Sequence, residues 1–283
     1  MLGLPVQSSA IGSGLPFLLL SSGARNAAMA EASTALPDME AITYNPAALQ
    51  GRGRGSVGLT HSEFFQGIRH DHFSLVLVSR RGVVGFSAQV SQAEGLEHRT
   101  GPSARPLGRF GVYNGVINMA YARAWNKKLR LGANFKLIRE SVFTSTATGA
   151  AVDFGLLYTF LPHMRAGVAL RNLGRMSELN RTATRLPMQG RLGLTYAGFG
   201  PILLSVATHR AAGRPTTLHM GGETALGSRL VLRAGYQNTH HRKLTLGMGL
   251  RSSNWTLEYA FIPPFKSALG EAHRFALQLH RGG

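Results

Sequence analysis

From Gly51 to the end of the chain, apolar residues recur at every second position. Phe73, Leu75 and Leu77 share one face of an extended segment, and Val152, Phe154, Leu156, Tyr158 and Phe160 share another with Asp153 opposite. Leu192, Leu194 and Tyr196 alternate with Arg191, Gly193 and Thr195, and Leu230, Leu232, Ala234 and Tyr236 with Arg233, Gly235 and Gln237. The same holds for Leu244, Leu246, Met248 and Leu250 against Thr245, Gly247, Gly249 and Arg251, and for Trp255, Leu257, Tyr259 and Phe261 against Thr256, Glu258 and Ala260. A period of two is that of β-strands, here with one apolar face and one small, polar or charged face.

Segments of this kind lie near residues 54–64, 68–79, 82–92, 109–125, 129–140, 148–160, 165–171, 187–197, 201–209, 215–225, 228–238, 243–251, 254–262 and 271–280. Each is about the length that a tilted membrane strand requires. Every second connection is tight: SRRG, WNKK, LPHM, GFGP, LGS and SSN. Among the others are long ones, notably Ala93 to Leu107 and Asn172 to Leu186. Tight turns at one end and long loops at the other predict an all-β fold, a transmembrane antiparallel β-barrel of about 14 strands.

The stretch from Ser22 to Gln50 breaks the alternation. It is rich in Ala and ends in Tyr44-Asn45-Pro46-Ala47-Ala48-Leu49. Pro46 lacks an N–H and pushes Asn45 away from helical angles, so helix-like character stops there. The stretch is too apolar for a free tail and too short to fold alone. It predicts a two-part chain, with residues 1–50 lodged against a surface or cavity that residues 51–283 supply.

Composition adds limits. No run approaches the roughly 18 apolar residues of a membrane helix, which leaves a membrane barrel open. Cys is absent, so disulfides and thiolate metal sites are excluded. Leu15 to Leu20 resembles a signal-peptide core, but the run is short and no Lys or Arg precedes it, so a signal peptide is not evident. The 31 Lys plus Arg against 13 Asp plus Glu give a formal charge of +18. These cations punctuate the ends of apolar alternations, as at Arg80-Arg81, Lys127-Lys128-Arg130, Arg210 with Arg214, and His240-His241-Arg242-Lys243. They line no single helix and are not interleaved with stacking aromatics, which argues against nucleic acid and for solvated turns facing anionic lipid head groups or lipopolysaccharide phosphates.

On the polar side of the strands fall Lys136, Asp153, Arg171, Arg191, Glu223, Arg233, Arg251 and Glu258, which a barrel would turn toward its lumen. They would form either a solute path or docking surface, or a ladder of cross-strand salt bridges that stiffens the wall. Phe64, Phe65, Trp125, Tyr236 and Trp255 lie near strand ends and suit interfacial girdles. Catalytic chemistry is not legible. Gly53-Arg54-Gly55-Ser56-Val57-Gly58 matches G-x-G-x-x-G only formally, because it opens a strand rather than a helix. On a strand Ser62 points away from His61 and Glu63, so the three form no nucleophile–base chain. His240-His241 lacks a third metal ligand. No cofactor, metal or enzymatic activity is expected.

The runs PFLLLSSGARNAAM and DMEAITYNPAAL resemble the N-terminal signature of the PorV/PorQ family, relatives of the FadL-type outer-membrane transporters. The matching positions are Phe17, Leu18, Gly23, Ala24, Arg25, Met29, Asp38, Tyr44, Asn45, Pro46 and Ala47. ANFKLIRESVFTSTATGAAVDFGLLY, the run Met220-Gly221-Gly222-Glu223, and then LRAGYQN, LTLGMGL, LEYAF and LGEAHRFALQL follow the family's order, so the resemblance spans nearly the whole chain. It implies a hatch inserted into a fourteen-stranded barrel, with Gly23, Ala24, Arg25, Met29, Tyr44, Asn45, Pro46 and Ala47 as the hatch motif. In two places the sequence departs from the pattern. Ala30-Glu31 replaces Gly-Gly, which argues against a tight turn of positive φ there. The end reads Leu279-His280-Arg281-Gly282-Gly283 where such barrels usually finish on an aromatic residue. The function implied is non-enzymatic: a type IX secretion component that handles cargo proteins beside a translocon barrel. The alternative is a FadL-like channel for hydrophobic small molecules, and either would sit in the outer membrane of a Gram-negative-type bacterium.

Overall fold

The computed structural model describes residues 14–20, 22–64, 67–99, 101, 105–238, 243–263 and 271–282. Phe65 and His240-His241-Arg242 from the readings above lie outside the described residues. The strands are β1 (Gly55–Glu63), β2 (Arg69–Ser79), β3 (Gly82–His98), β4 (Gly108–Ala124), β5 (Leu129–Val142), β6 (Ser145–Leu161), β7 (Met164–Met176), β8 (Glu178–Leu179) and β9 (Thr182–Ala183). They continue as β10 (Gln189–Phe199), β11 (Ile202–Ala211), β12 (Thr217–Leu226), β13 (Leu230–Asn238), β14 (Lys243–Arg251), β15 (Trp255–Ile262) and β16 (Ala272–Arg281). All except β8 and β9 form one closed antiparallel barrel of fourteen strands, and those two pair with each other as a separate ribbon. Closure is made by β1 against β16, in register from Gly55 opposite Arg281 to Glu63 opposite His273.

The alternation has its expected outcome on the outer face. Phe73, Leu77, Phe135, Leu192, Leu204, Leu246, Leu257 and Leu277 are all exposed there. A belt of this size is far beyond what a soluble monomer shows and belongs against lipid. A closed wall also leaves no strand edge unpaired, which a lipid setting demands. Among the described residues no helix is long and apolar enough to cross a membrane.

Tight turns such as Arg80-Arg81 gather at the end where β1 begins and β16 finishes. At the other end the loops differ from expectation. The first part of Ala93 to Leu107 is strand, since β3 runs to His98, and β4 starts directly after it at Gly108. Asn172 to Leu186 likewise holds the end of β7 and the β8–β9 ribbon. The link between β5 and β6 is only Phe143 and Thr144. Beyond the apolar belt neither face of a strand is selected for burial, so the period of two fades while the backbone ladder continues. Register shifts at Ala93/Leu96 and Val152/Phe154 mark that transition.

Membranes carrying this protein should retain it through high-salt and carbonate washes, and its gel migration should change on boiling. Release as a soluble monomer by salt alone would contradict the barrel.

Candidate functional site: the hatch and the lumen it fills

Residues 14–20 and 22–50 lie inside the barrel. They form little regular structure: the 3-10 turns Pro16–Leu19, Met39–Thr43 and Pro46–Ala48, and one short helix, α1 (Ala24–Ala28). Most of their side chains are buried, among them Phe17, Leu18, Ala24, Met29, Ile42, Tyr44 and Leu49. Leu15, Phe17 and Leu18 pack with Val116, Ile138, Ala151 and Leu186.

So irregular a segment cannot satisfy its own backbone, and buried carbonyls need partners. Wall side chains supply them. Arg171 Nη2 donates to the Leu18 carbonyl at 2.9 Å and Arg274 Nη1 to Gly23 at 3.3 Å. Thr245 Oγ1 donates to Ala28 at 2.8 Å, Arg191 Nη2 to Glu31 at 2.9 Å and Arg130 Nη2 to Leu49 at 2.7 Å. The Ser205 hydroxyl reaches the Ala32 carbonyl. Arg191 also lies 5.8 Å above the Tyr44 ring, whose hydroxyl donates to Leu36 at 2.9 Å.

One ion cluster joins the two parts. Arg25 of α1 donates from Nε to Glu223 Oε2 at 2.8 Å, from Nη2 to Glu223 Oε1 at 3.0 Å and from Nη1 to Asp38 Oδ2 at 2.9 Å. Glu223 also accepts from Arg233 Nε at 2.7 Å and Arg251 Nη2 at 3.0 Å, while Arg233 Nη2 reaches Glu258 Oε1 at 2.8 Å. Three cations thus face three carboxylates. Burial opposes the Arg25 charge, but Glu223 and Asp38 outweigh it and hold its pKa well above the ordinary guanidinium value. On the other side of the lumen Lys136 Nζ pairs with Asp153 Oδ2 at 2.7 Å and donates to Asn172 Oδ1 at 2.7 Å.

The Asn45-Pro46-Ala47 corner is held through the Asn45 amide. Its Oδ1 accepts from the Ala47 N–H at 3.1 Å, and its Nδ2 donates to Thr34 O at 2.7 Å and Leu156 O at 3.3 Å. The turn after Met29 corrects an expectation. Ala30 and Glu31 take φ of 50° and 63°, so the left-handed turn forms without glycine. That geometry costs about 1–2 kcal/mol per residue. Hydrogen bonds hold it: Ala30 N–H to Thr245 Oγ1 at 3.1 Å, Glu31 N–H to Asn26 O at 2.8 Å, and the Arg191 contact above.

The inward face of the wall is cut to this segment. Gly132 faces Gly155 across β5–β6, Gly167 faces Gly193 across β7–β10, and Gly193 faces Ala207. Gly221 pairs with Gly235, Gly247 with Ala260, Gly58 with Ser74 and Gly85 with Ala120. A Cβ at Gly132 or Gly155 would overlap the Asn45-Pro46-Ala47 backbone or side chains, and one at Gly221 would come within 2.7 Å of Met29. A belt of small residues therefore runs around the barrel where the hatch crosses it.

Two cavities flank α1. Toward the long-loop end, a cavity of about 720 Å³ is floored by Leu19, Leu20, Ala27, Ala30 and Glu31. Its walls are Phe64, Ile262 and Ala211 together with Gln189, His209, His219, Gln237, Arg214 and Arg274. That is the size and mixed lining of a small-molecule site. Toward the turn end, a polar pocket of about 190 Å³ is lined by Arg25, Asp38, Arg52, Arg251, Glu258 and His280. Two apolar grooves of about 540 and 780 Å³ lie on the outside of β10–β15 among Leu, Met and Tyr side chains, where they face lipid rather than the lumen.

The structure therefore gathers Glu223, Arg233, Arg251 and Glu258 about Arg25, sets Lys136 on Asp153, and aims Arg171 and Arg191 at hatch carbonyls. Gly23, Ala24, Met29, Tyr44, Asn45, Pro46 and Ala47 are packed along the same path. Sequence reasoning passed over Arg274, Thr245, Ser205 and the glycine belt, and it set Arg130 among the solvated turn cations, whereas Arg130 reaches the Leu49 carbonyl of the hatch. It also missed Glu40, which accepts from the Ser74 hydroxyl at 3.0 Å and lies 3.0 Å from His72. Apart from Glu40, which lies in the hatch itself, the missed side chains sit on the polar strand face, but alternation alone cannot say which of them meet the hatch. His61 instead points outward and pairs with Asp71 at 2.6 Å, while Ser62 is buried in the lumen.

The closed fourteen-stranded antiparallel barrel matches that of FadL-like barrels, and three of the solved structures that share it serve as examples. The CymD monoaromatic hydrocarbon channel superposes with a TM-score of 0.75 at 14% identity, over 96% of this chain and 100% of its own. The P. putida toluene transporter TodX gives 0.70 at 13%, over 92% and 99%. A Pseudomonas aeruginosa FadL homologue gives 0.64 at 12%, over 92% and 98%. At these identities the likeness is one of fold. No protein-family model and no curated protein matches the sequence.

Replacing Arg25 with Gln leaves Asp38 and Glu223 buried and short of a cation, at a cost of about 3–5 kcal/mol. Among the described residues the barrel wall shares no ladder bond with the hatch, so heat-modifiable migration should persist. Protease cleavage within residues 22–50 should rise at least tenfold over the wild type. An unchanged cleavage rate would show that the cluster does not hold the hatch.

Proposed function

We propose that this protein is a non-enzymatic outer-membrane channel for small hydrophobic molecules, gated by its N-terminal hatch. The observation that carries this reading is the cavity of about 720 Å³ inside the barrel, on the long-loop side of α1 and floored by α1 and the Ala30-Glu31 turn. A ligand resting there touches the segment that blocks its way. The names of the similar barrels, a monoaromatic hydrocarbon channel and a toluene transporter, support the same class of cargo. In an outer membrane the tight turns face the periplasm and the long connections face outward, so the large cavity is the entry side.

A second reading, a component of type IX secretion, is supported by the PorV/PorQ-like runs around Gly23-Ala24-Arg25 and Tyr44-Asn45-Pro46-Ala47. In it the barrel handles secreted cargo proteins beside a translocon. The hatch fills the lumen, so that cargo would meet the rim rather than cross the barrel.

The two readings separate in one experiment. Purified protein in liposomes should raise the entry rate of a monoaromatic hydrocarbon at least tenfold over protein-free vesicles. Bulky substitution of floor residues, Ala27→Trp or Ala30→Trp, should abolish the increase. No increase, together with co-purification of secreted proteins from native membranes, would favour the secretion role.

A further inference from the structure

The strong positive charge is not spread evenly over the barrel. The exposed carboxylates Glu63, Asp71, Glu94, Glu97, Glu178 and Glu271 all lie toward the long-loop end. Asp38, Glu40, Asp153, Glu223 and Glu258 are inside the lumen and engaged there. Among the described residues the turn end carries no exposed Asp or Glu.

Cations lie at both ends, but at the turn end they stand without exposed carboxylates among the described residues. Arg54 and Arg281 flank the β1–β16 closure, Arg80-Arg81 form the next turn, and Arg123 with Lys127-Lys128 occupy the one after it. These connections are neighbours around the rim, because β16, β1, β2, β3, β4 and β5 are consecutive in the sheet. Each of these side chains is exposed and none is within ion-pairing distance of a carboxylate among the described residues. Side by side with no counter-charge, they repel one another, and an external anion would relieve this.

The depth of the patch identifies the anion. Leu77, Tyr121 and Leu279 point outward into the apolar belt within four residues of these cations. Trp125, 74% exposed, stands between Arg123 and Lys127, and the Tyr121 hydroxyl donates to the Arg81 carbonyl at 2.7 Å. Aromatic rings beside Lys and Arg at the edge of an apolar belt mark the level of lipid head groups. A soluble partner would instead find its contacts beyond the turns.

We infer that the rim from β16 to β5 binds the phosphates of anionic phospholipids in the leaflet at the turn end. The inference concerns the lipid around the barrel and stands whether the lumen carries hydrocarbons or serves secretion. It makes the strong basic charge a device that fixes the barrel's depth and recruits a lipid annulus on one sector.

The test uses delipidated full-length protein in neutral detergent, titrated separately with phosphatidylglycerol, phosphatidylethanolamine and lipopolysaccharide. Bound lipid is read by native mass spectrometry, and folding by heat-modifiable migration. The wild type should hold phosphatidylglycerol at least tenfold more tightly than phosphatidylethanolamine. The variant Arg80→Gln/Arg81→Gln/Lys127→Gln/Lys128→Gln should lose that preference and bind the two phospholipids equally. If that variant does not fold, Lys127→Gln/Lys128→Gln serves in its place. The control Arg175→Gln/Arg181→Gln, at the opposite end, should keep the preference. Equal binding of the two phospholipids by the wild type, retention of the preference by the rim variant, or a patch-dependent preference for lipopolysaccharide would each overturn the proposal.

Discussion

The guanidinium of Arg25 is the point on which this structure turns. It sits in the lumen between Asp38 of its own segment and Glu223 of the wall, at 2.9 and 2.8 Å. Buried charge is tolerable only when it is paired and hydrogen-bonded, and here each of the three carboxylates depends on an arginine. Arg233 and Arg251 fill the remaining positions on Glu223. Remove the hatch, and Glu223 loses its bidentate partner while Arg171, Arg191 and Arg274 lose the carbonyls they hold. The hatch without the wall is no better off, since its Leu18, Ala28, Glu31, Ala32 and Leu49 carbonyls lose the wall side chains bonded to them. Each part completes the other's hydrogen bonding, yet the wall closes through its own ladder. That division allows a segment to be firmly seated and still separable.

Shape follows the same logic. An α-helical plug could meet a wall of large side chains, because its backbone is satisfied internally. An irregular one must bring its backbone close to the wall to be bonded, and close approach requires small residues opposite. The glycine belt from Gly132 and Gly155 round to Gly58 and Gly85 meets that requirement. The strained turn at Ala30-Glu31 shows the converse: side chains are kept where φ is positive, and Thr245, Asn26 and Arg191 hold the backbone in place.

Much of the fold was legible in the sequence, because lipid selects one face of every strand and leaves a plain period of two. The fourteen segments and their order emerge from that signal alone. It fades where selection does, beyond the lipid belt, so the extensions of β3 to His98 and β7 to Met176 read as loops. Lumen charges such as Lys136 and Glu223 were legible as inward-facing and as candidates for cross-strand pairing, but which residue each one meets was not. Pairing between Arg25 and Glu223 spans 198 positions along the chain and depends on the path of an aperiodic segment. Nor does a glycine on the polar face announce whether it faces water or a hatch backbone.

The central claim is that passage requires the hatch to leave its seat. The chain has no Cys, which makes a tether simple to introduce. Ala28 of α1 and Ala260 of β15 belong to one buried alanine cluster, and replacing both with Cys would join hatch to wall on oxidation. The account predicts that hydrocarbon entry into liposomes falls at least tenfold in the oxidised protein and returns on reduction. Equal entry in the oxidised and reduced forms would contradict it, because a fixed hatch would then be no barrier.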